Sequence, residues 1–177
     1  MIMASVLKLP ATPITSFSCS SFHRARRSCG NECPDQCDAQ AADEAPWRKP
    51  WDAYAAFYEA VLAPEITTLT WQRILDPHSP IIGRIAEDGG EVIGFSVSVL
   101  HEGTWAPNLV CYLEDLFVDP EFRGNGAGGL LIQDLLGLGN ERKWSGLYWH
   151  TRAGNPARRL YDEFIEADDF VRYRIRI

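Results

Sequence analysis

From about residue 46 onward, apolar positions recur first at three- and four-residue steps, then at two, and then in alternation between the two periods. Trp51, Tyr54, Tyr58 and Val61 follow the helical spacing, with Pro46 or Pro50 near the start of that helix, where a missing N–H is tolerated. Residues 66–75 predict a second helix, stopped by Asp76 and Pro77. Residues 81–86 and 91–100 predict two strands joined across Glu87, Asp88, Gly89 and Gly90, a hairpin signal. After a loop over 101–108, residues 109–118 predict a central strand, 126 to about 139 a helix, and 146–151 a further strand. Asn155 and Pro156 predict a helix start, a capping side chain followed by proline, with Ala157, Leu160 and Phe164 on one face. Val171, Tyr173, Ile175 and Ile177 alternate with Arg172, Arg174 and Arg176, the pattern of a half-buried final strand. The order predicts one α/β domain, a mixed open sheet flanked by helices, over residues 41–177.

Residues 1–40 show no sustained period. Serine and arginine dominate at first, the flavour of an organelle presequence or of a mis-assigned start, and disorder is the expectation. Residues 31–40 offer no apolar strand, and residues 5–9 are a poor substitute. Cys29, Cys33 and Cys37 are spaced by three residues, unlike the pairs of common zinc sites, and no metal site is expected. Cys111, in an apolar run, reads as a small buried hydrophobe.

The 177 residues, 46% hydrophobic and 23% charged, suit an ordinary globular domain. Residues 1–30 hold Lys8, Arg24, Arg26 and Arg27 and no acid, so a net charge of −7 leaves −11 on the remainder. An acidic body argues against nucleic acid and suits a cationic amine, although net charge also serves solubility alone. No apolar run approaches the roughly eighteen residues of a bilayer span, so no membrane partner is expected, and the expected location is cytoplasmic.

The chemistry concentrates in residues 112–129, where a strand-like run passes into a glycine-rich turn that opens a helix. Gly124, Gly126 and Gly128 lack the Cβ atoms that would hold a ligand off the backbone. Amides at a helix start attract anionic oxygens, and Arg123 adds a planar cation suited to phosphate. Gly124, Gly126 and Gly129 also satisfy the dinucleotide pattern G-x-G-x-x-G, but Asp119, Pro120, Glu121 and Phe122 intervene between the strand and the arginine–glycine turn, and only about fifty residues remain after it.

Arg123, Gly126 and Gly128 satisfy Arg-x-x-Gly-x-Gly/Ala, the acetyl-CoA signature of the Gcn5-related N-acetyltransferases, which the chain resembles. Residues 112–118 resemble the matching strand of spermidine/spermine acetyltransferases. Cys111 with Leu116-Phe117-Val118, Tyr148-Trp149, and Asn155 with Leu160-Tyr161 resemble the small yeast-type histone/polyamine acetyltransferases. The resemblance implies acetyl-CoA as co-substrate, held by Leu116, Phe117, Val118, Arg123, Gly124, Asn125, Gly126, Ala127, Gly128 and Asn155. It implies direct transfer to a primary amine, with a polyamine-like acceptor favoured. A protein lysine, an amino acid, or silent acyl-CoA binding are the alternatives.

An alkylammonium has a pKa near 10 and must lose a proton, while the departing thiolate must gain one. The resemblance makes Glu114 the base and Asp115 a contact to the substrate cation. Neighbouring strand positions face opposite sides, so both can serve one face only if the strand bulges, as the family's does here. It makes Tyr161 the acid, and places Trp105 against the substrate in a cation–π contact. His150 is a further candidate for proton relay. A homodimer through the C-terminal strand is also implied.

Overall fold

The computed structural model describes residues 36–177. The expected presequence and the substitute strand at 5–9 lie outside the described residues. Five strands form one sheet in chain order: β1 (Gln36–Asp38), β2 (Ile81–Asp88), β3 (Glu91–His101), β4 (Val110–Val118) and β5 (Gly146–Trp149). All neighbours are antiparallel except β4 and β5, which are parallel. That parallel pair needs a crossover, supplied by the helix α3 (Ala127–Arg142). The helices α1 (Glu44–Phe57) and α2 (Pro64–Leu75) cover the other face. A last short helix, α4 (Arg158–Tyr161), follows β5.

The two faces bury different cores. Trp47 and Trp51 of α1 and Trp71 of α2 pack with Ile85, Phe95, Val97 and Phe117 of the sheet, with Trp47 stacked 4.8 Å from Trp51 and tilted at 4.8 Å from Trp71. Such ring pairs add to what area burial alone contributes. On the other face Leu131, Ile132 and Leu135 of α3 pack with Ile93 and Leu113 of the sheet, all buried. Arg84, 5% exposed, is clamped beneath α3 by both carboxylate oxygens of Asp134, at 2.6 and 2.8 Å, and also donates to Asp38. This ties β1, β2 and α3 together, and a buried guanidinium needs such partners. Cys111 is fully buried, and burial pushes its thiol up to about 11, consistent with an inert packing role.

The hairpin forms as the sequence indicates: Gly89 and Gly90 take φ of 59° and 87°, the pair of positive values a two-residue turn requires. Three expectations are corrected. A first strand does exist within 31–40: β1 pairs antiparallel with β2, Cys37 opposite Ile85. Its three residues are too few to show a period, and backbone pairing alone makes it a strand. Val61 lies outside α1 and is fully exposed, because the helical face starts a turn earlier at Trp47 and ends at Tyr58. Residues 171–177 are not a half-buried strand. They carry no regular structure, and Val171, Tyr173, Ile175 and Ile177 are all exposed. Alternation reports what a segment could cover, whereas a strand also needs a partner edge within reach. No helix among the described residues is long and apolar enough to cross a membrane.

Candidate active site

The glycine turn is built by a chain of local bonds. At the end of β4 the Asp119 side chain accepts from the Glu121 amide, starting a single 3-10 turn over Pro120–Phe122. Arg123 Nε then donates to the Val118 carbonyl at 2.9 Å, and its guanidinium lies 5.5 Å from the Phe117 ring centroid. Gly124 and Gly126 adopt φ of 82° and 87°, and a Cβ at either would meet no protein atom within 4 Å. Glycine is therefore required there by the backbone conformation, and the space beside it belongs to a cleft. The first intrahelical bond of α3 runs from Leu130 N–H to Gly126 O, so the amides of Ala127, Gly128 and Gly129 have no helical acceptor. With the dipole of a sixteen-residue helix behind them, they form a cradle for anionic oxygens.

The cleft exists because β4 and β5 part company. Their pairing runs from Val110 opposite Gly146 to Leu113 opposite Trp149 and stops. Residues 114–118 thus have no β5 partner, and the backbone beside Leu116, Phe117 and Val118 lines a cleft of about 850 Å³. The parting coincides with a bulge. Val97 faces Asp115 and Ser98 faces Leu113, leaving Glu114 as the extra residue. Leu113 and Leu116 accordingly pack toward α3, while Phe117 packs with the α1 face and Asp115 reaches Tyr54 of α1. Glu114 and Asp115 fall between them, Glu114 exposed and Asp115 partly buried.

Asp115 accepts a 2.6 Å hydrogen bond from the Tyr54 hydroxyl. Burial raises its pKa to about 6, with Glu114 adding to the rise and the Tyr54 bond opposing it. Tyr54 itself is pushed up, first by burial and then by the Asp115 charge, so it stays a donor. Glu114 is exposed. Across the cleft Tyr161 stands 5.5 Å from the Trp149 ring, and burial, aided by Tyr58, pushes its hydroxyl up to about 12. It therefore holds its proton throughout the neutral range. Asn155 Oδ1 caps the Ala157 amide at 3.0 Å while Nδ2 donates to Thr151 Oγ1 at 2.8 Å, which anchors the turn that carries Tyr161.

The structure brings together on one cleft Leu116, Phe117, Val118, Arg123, Gly124, Asn125, Gly126, Ala127, Gly128, Asn155 and Tyr161. Glu114 and Asp115 do not line it, but Tyr54, the partner of Asp115, does. Trp105 is fully exposed in the loop before β4, at the opposite end of that strand from the turn, and is not part of the cleft wall. His150 also lies outside the wall, its ring 5.4 Å from Tyr112 and 5.6 Å from Tyr148. Sequence reasoning missed Tyr54 and Tyr58 as site residues, because a helical stripe of aromatics reads as core. The signal was that the stripe carried hydroxyls where plain hydrocarbon would have packed as well.

Residues 41–164 match the Acetyltransferase (GNAT) family, and the chain belongs to it. It is 33% identical over 135 residues to the D-amino-acid N-acetyltransferase HPA3 of Saccharomyces cerevisiae, covering 75% of this chain and 84% of that one. Among solved structures, a ribosomal-protein-alanine N-acetyltransferase from Brucella melitensis biovar Abortus 2308 superposes with a TM-score of 0.68 at 21% identity, over 81% of this chain and 98% of that one. An aminoglycoside acetyltransferase, meta-AAC0020, from an uncultured soil metagenomic sample gives 0.66 at 16%, over 80% and 94%. The sheet and its flanking helices are those of this fold, and the protein is an N-acetyltransferase.

Proposed function

We propose that the protein transfers an acetyl group from acetyl-CoA directly to a small primary amine. The observation that carries this is the cleft itself, which joins unpaired amides and Arg123 at one end to a protonated Tyr161 hydroxyl at the other. The amides of α3 and Arg123 would hold the pyrophosphate, and the unpaired edge of β4 the pantetheine arm. The amine nitrogen attacks the thioester carbonyl, the C–S bond breaks, and Tyr161 donates its proton to the leaving sulfur. A carboxylate at the bulge takes the proton that the amine gives up.

Between the two carboxylates, the observations favour Asp115 over Glu114 as the base. A pKa of about 6, matched to neutral pH, and an orientation held by Tyr54 suit a general base. Glu114, exposed on the bulge, then supplies negative potential for the approaching ammonium. A polyamine-like acceptor and an amino acid both fit that potential, and the named yeast relative supports the second. The homodimer belongs to this proposal too. β5 is an edge strand, and the exposed alternation at 171–177 would extend it across two copies.

Release of free thiol on mixing the protein with acetyl-CoA and a panel of amines, with mass analysis of the product, tests the reading. Thiol release that depends on the amine, with a mass gain of one acetyl on it, is the expected result. Coenzyme binding without transfer to any amine would refute catalysis and leave an acyl-CoA-binding protein.

A further inference from the structure

Behind Tyr58, which lines the cleft, stands a cation that the acetyl-transfer chemistry does not use. Arg152, in the loop after β5, places its guanidinium carbon 5.3 Å from the centroid of the Tyr58 ring. It is exposed, its carbonyl accepts from the Asn155 amide at 2.9 Å, and no hydrogen bond or ion pair joins its guanidinium to another described residue. Arg48, Arg84 and Arg123, by contrast, each have bonded partners. Stacking occupies the flat face of a guanidinium and leaves its N–H edges to bind a planar anion, with a carboxylate the best geometric match.

Tyr58 fixes where that edge sits. It lines the cleft, its ring is 5.0 Å from Tyr54 in a T-shaped contact, and its hydroxyl is near enough to raise the pKa of Tyr161. Tyr54 in turn holds Asp115. Arg152 therefore borders the same tyrosine cluster as the proposed acid and base. Two neighbouring tyrosines of the cleft wall are thus backed by opposite charges, Tyr54 by the Asp115 carboxylate and Tyr58 by the Arg152 guanidinium.

We infer that Arg152 is a specificity-determining residue that binds a carboxylate on the acceptor, so that the preferred acceptor is an amine that also carries a carboxylate, an amino acid, and not a polycation. A polyamine would bring a second positive charge toward Arg152, an arrangement that works against it. This rests on the acetyltransferase reading above.

The test compares kcat/KM, in the intact protein, for free amino acids, the matching amino-acid amides and linear diamines. Wild type should prefer the free acid over its amide by at least tenfold. Arg152→Gln should lower kcat/KM for the acid by at least tenfold, leave the amide within about twofold, and leave KM for acetyl-CoA unchanged; Arg152→Lys should restore part of the loss. Diamines preferred over all amino acids by wild type would overturn the inference. So would equal losses for acid and amide, which make the stack structural, or a raised KM for acetyl-CoA with acceptor preference unmoved, which assigns the guanidinium to the coenzyme. Failure of every amine refutes the acetyltransferase reading itself and is told apart by that.

Discussion

Replacing Asp115 by Asn should make the protein more stable and less active, and the pH at which it does so can be worked out. Asn keeps an acceptor for the Tyr54 hydroxyl and removes only the charge. In the folded chain the carboxyl pKa is raised from 3.8 to about 6, chiefly by burial. The folded state thus binds the proton more tightly than the unfolded state, and between about pH 4 and pH 6 raising the pH works against folding. A shift of about two units corresponds to about 3 kcal/mol, absent below pH 4, where both states are protonated, and fully present above pH 6. Urea unfolding of wild type and Asp115→Asn at pH 4, 5, 6 and 7 reads this as a difference, in which the titration of all other groups cancels. The variant should gain up to about 3 kcal/mol at pH 7 and lose that advantage toward pH 4. Its kcat/KM should fall by about 10²-fold, and the acid limb of the wild-type profile, with its midpoint near 6, should disappear. A gain under about 1 kcal/mol at pH 7, or one that does not shrink on acidification, would refute the electrostatic account. An unchanged acid limb would move the base to Glu114. Stability given up at a functional carboxylate is the trade-off expected where chemistry needs a strained protonation state.

Tyr161→Phe should keep the ring contact with Trp149 and acetyl-CoA affinity, while single-turnover transfer slows by about 10²-fold. Because the hydroxyl titrates only near 12, any alkaline limb below pH 10 should be the same in variant and wild type; an unaltered transfer rate would remove Tyr161 from the mechanism. Gly126→Val forces a β-branched residue to φ of 87° and puts its side chain into the cleft. Titration calorimetry should show acetyl-CoA binding weakened at least tenfold, about 1.4 kcal/mol, with cooperative unfolding retained; normal affinity would place the phosphate cradle elsewhere.

Local chemistry along the chain determined much of this protein. The Gly89–Gly90 turn, the arginine–glycine run at 123–128 and the Asn155 cap each take their conformation from bonds within a few residues, so their roles are visible in the sequence. The bulge at Glu114 lies where the family resemblance implied one. Tertiary structure decided what depends on a distant partner. Gln36–Asp38 is a strand only because β2 offers an edge, whereas residues 171–177 carry a clear strand pattern and remain unpaired. Tyr54 meets Asp115 across 61 positions, and Arg152 finds the Tyr58 ring across nearly a hundred. A period in the sequence says which face of an element is apolar; it does not say which element lies opposite, and the pKa of a buried carboxylate and the charge at a cleft mouth are set by that opposite wall.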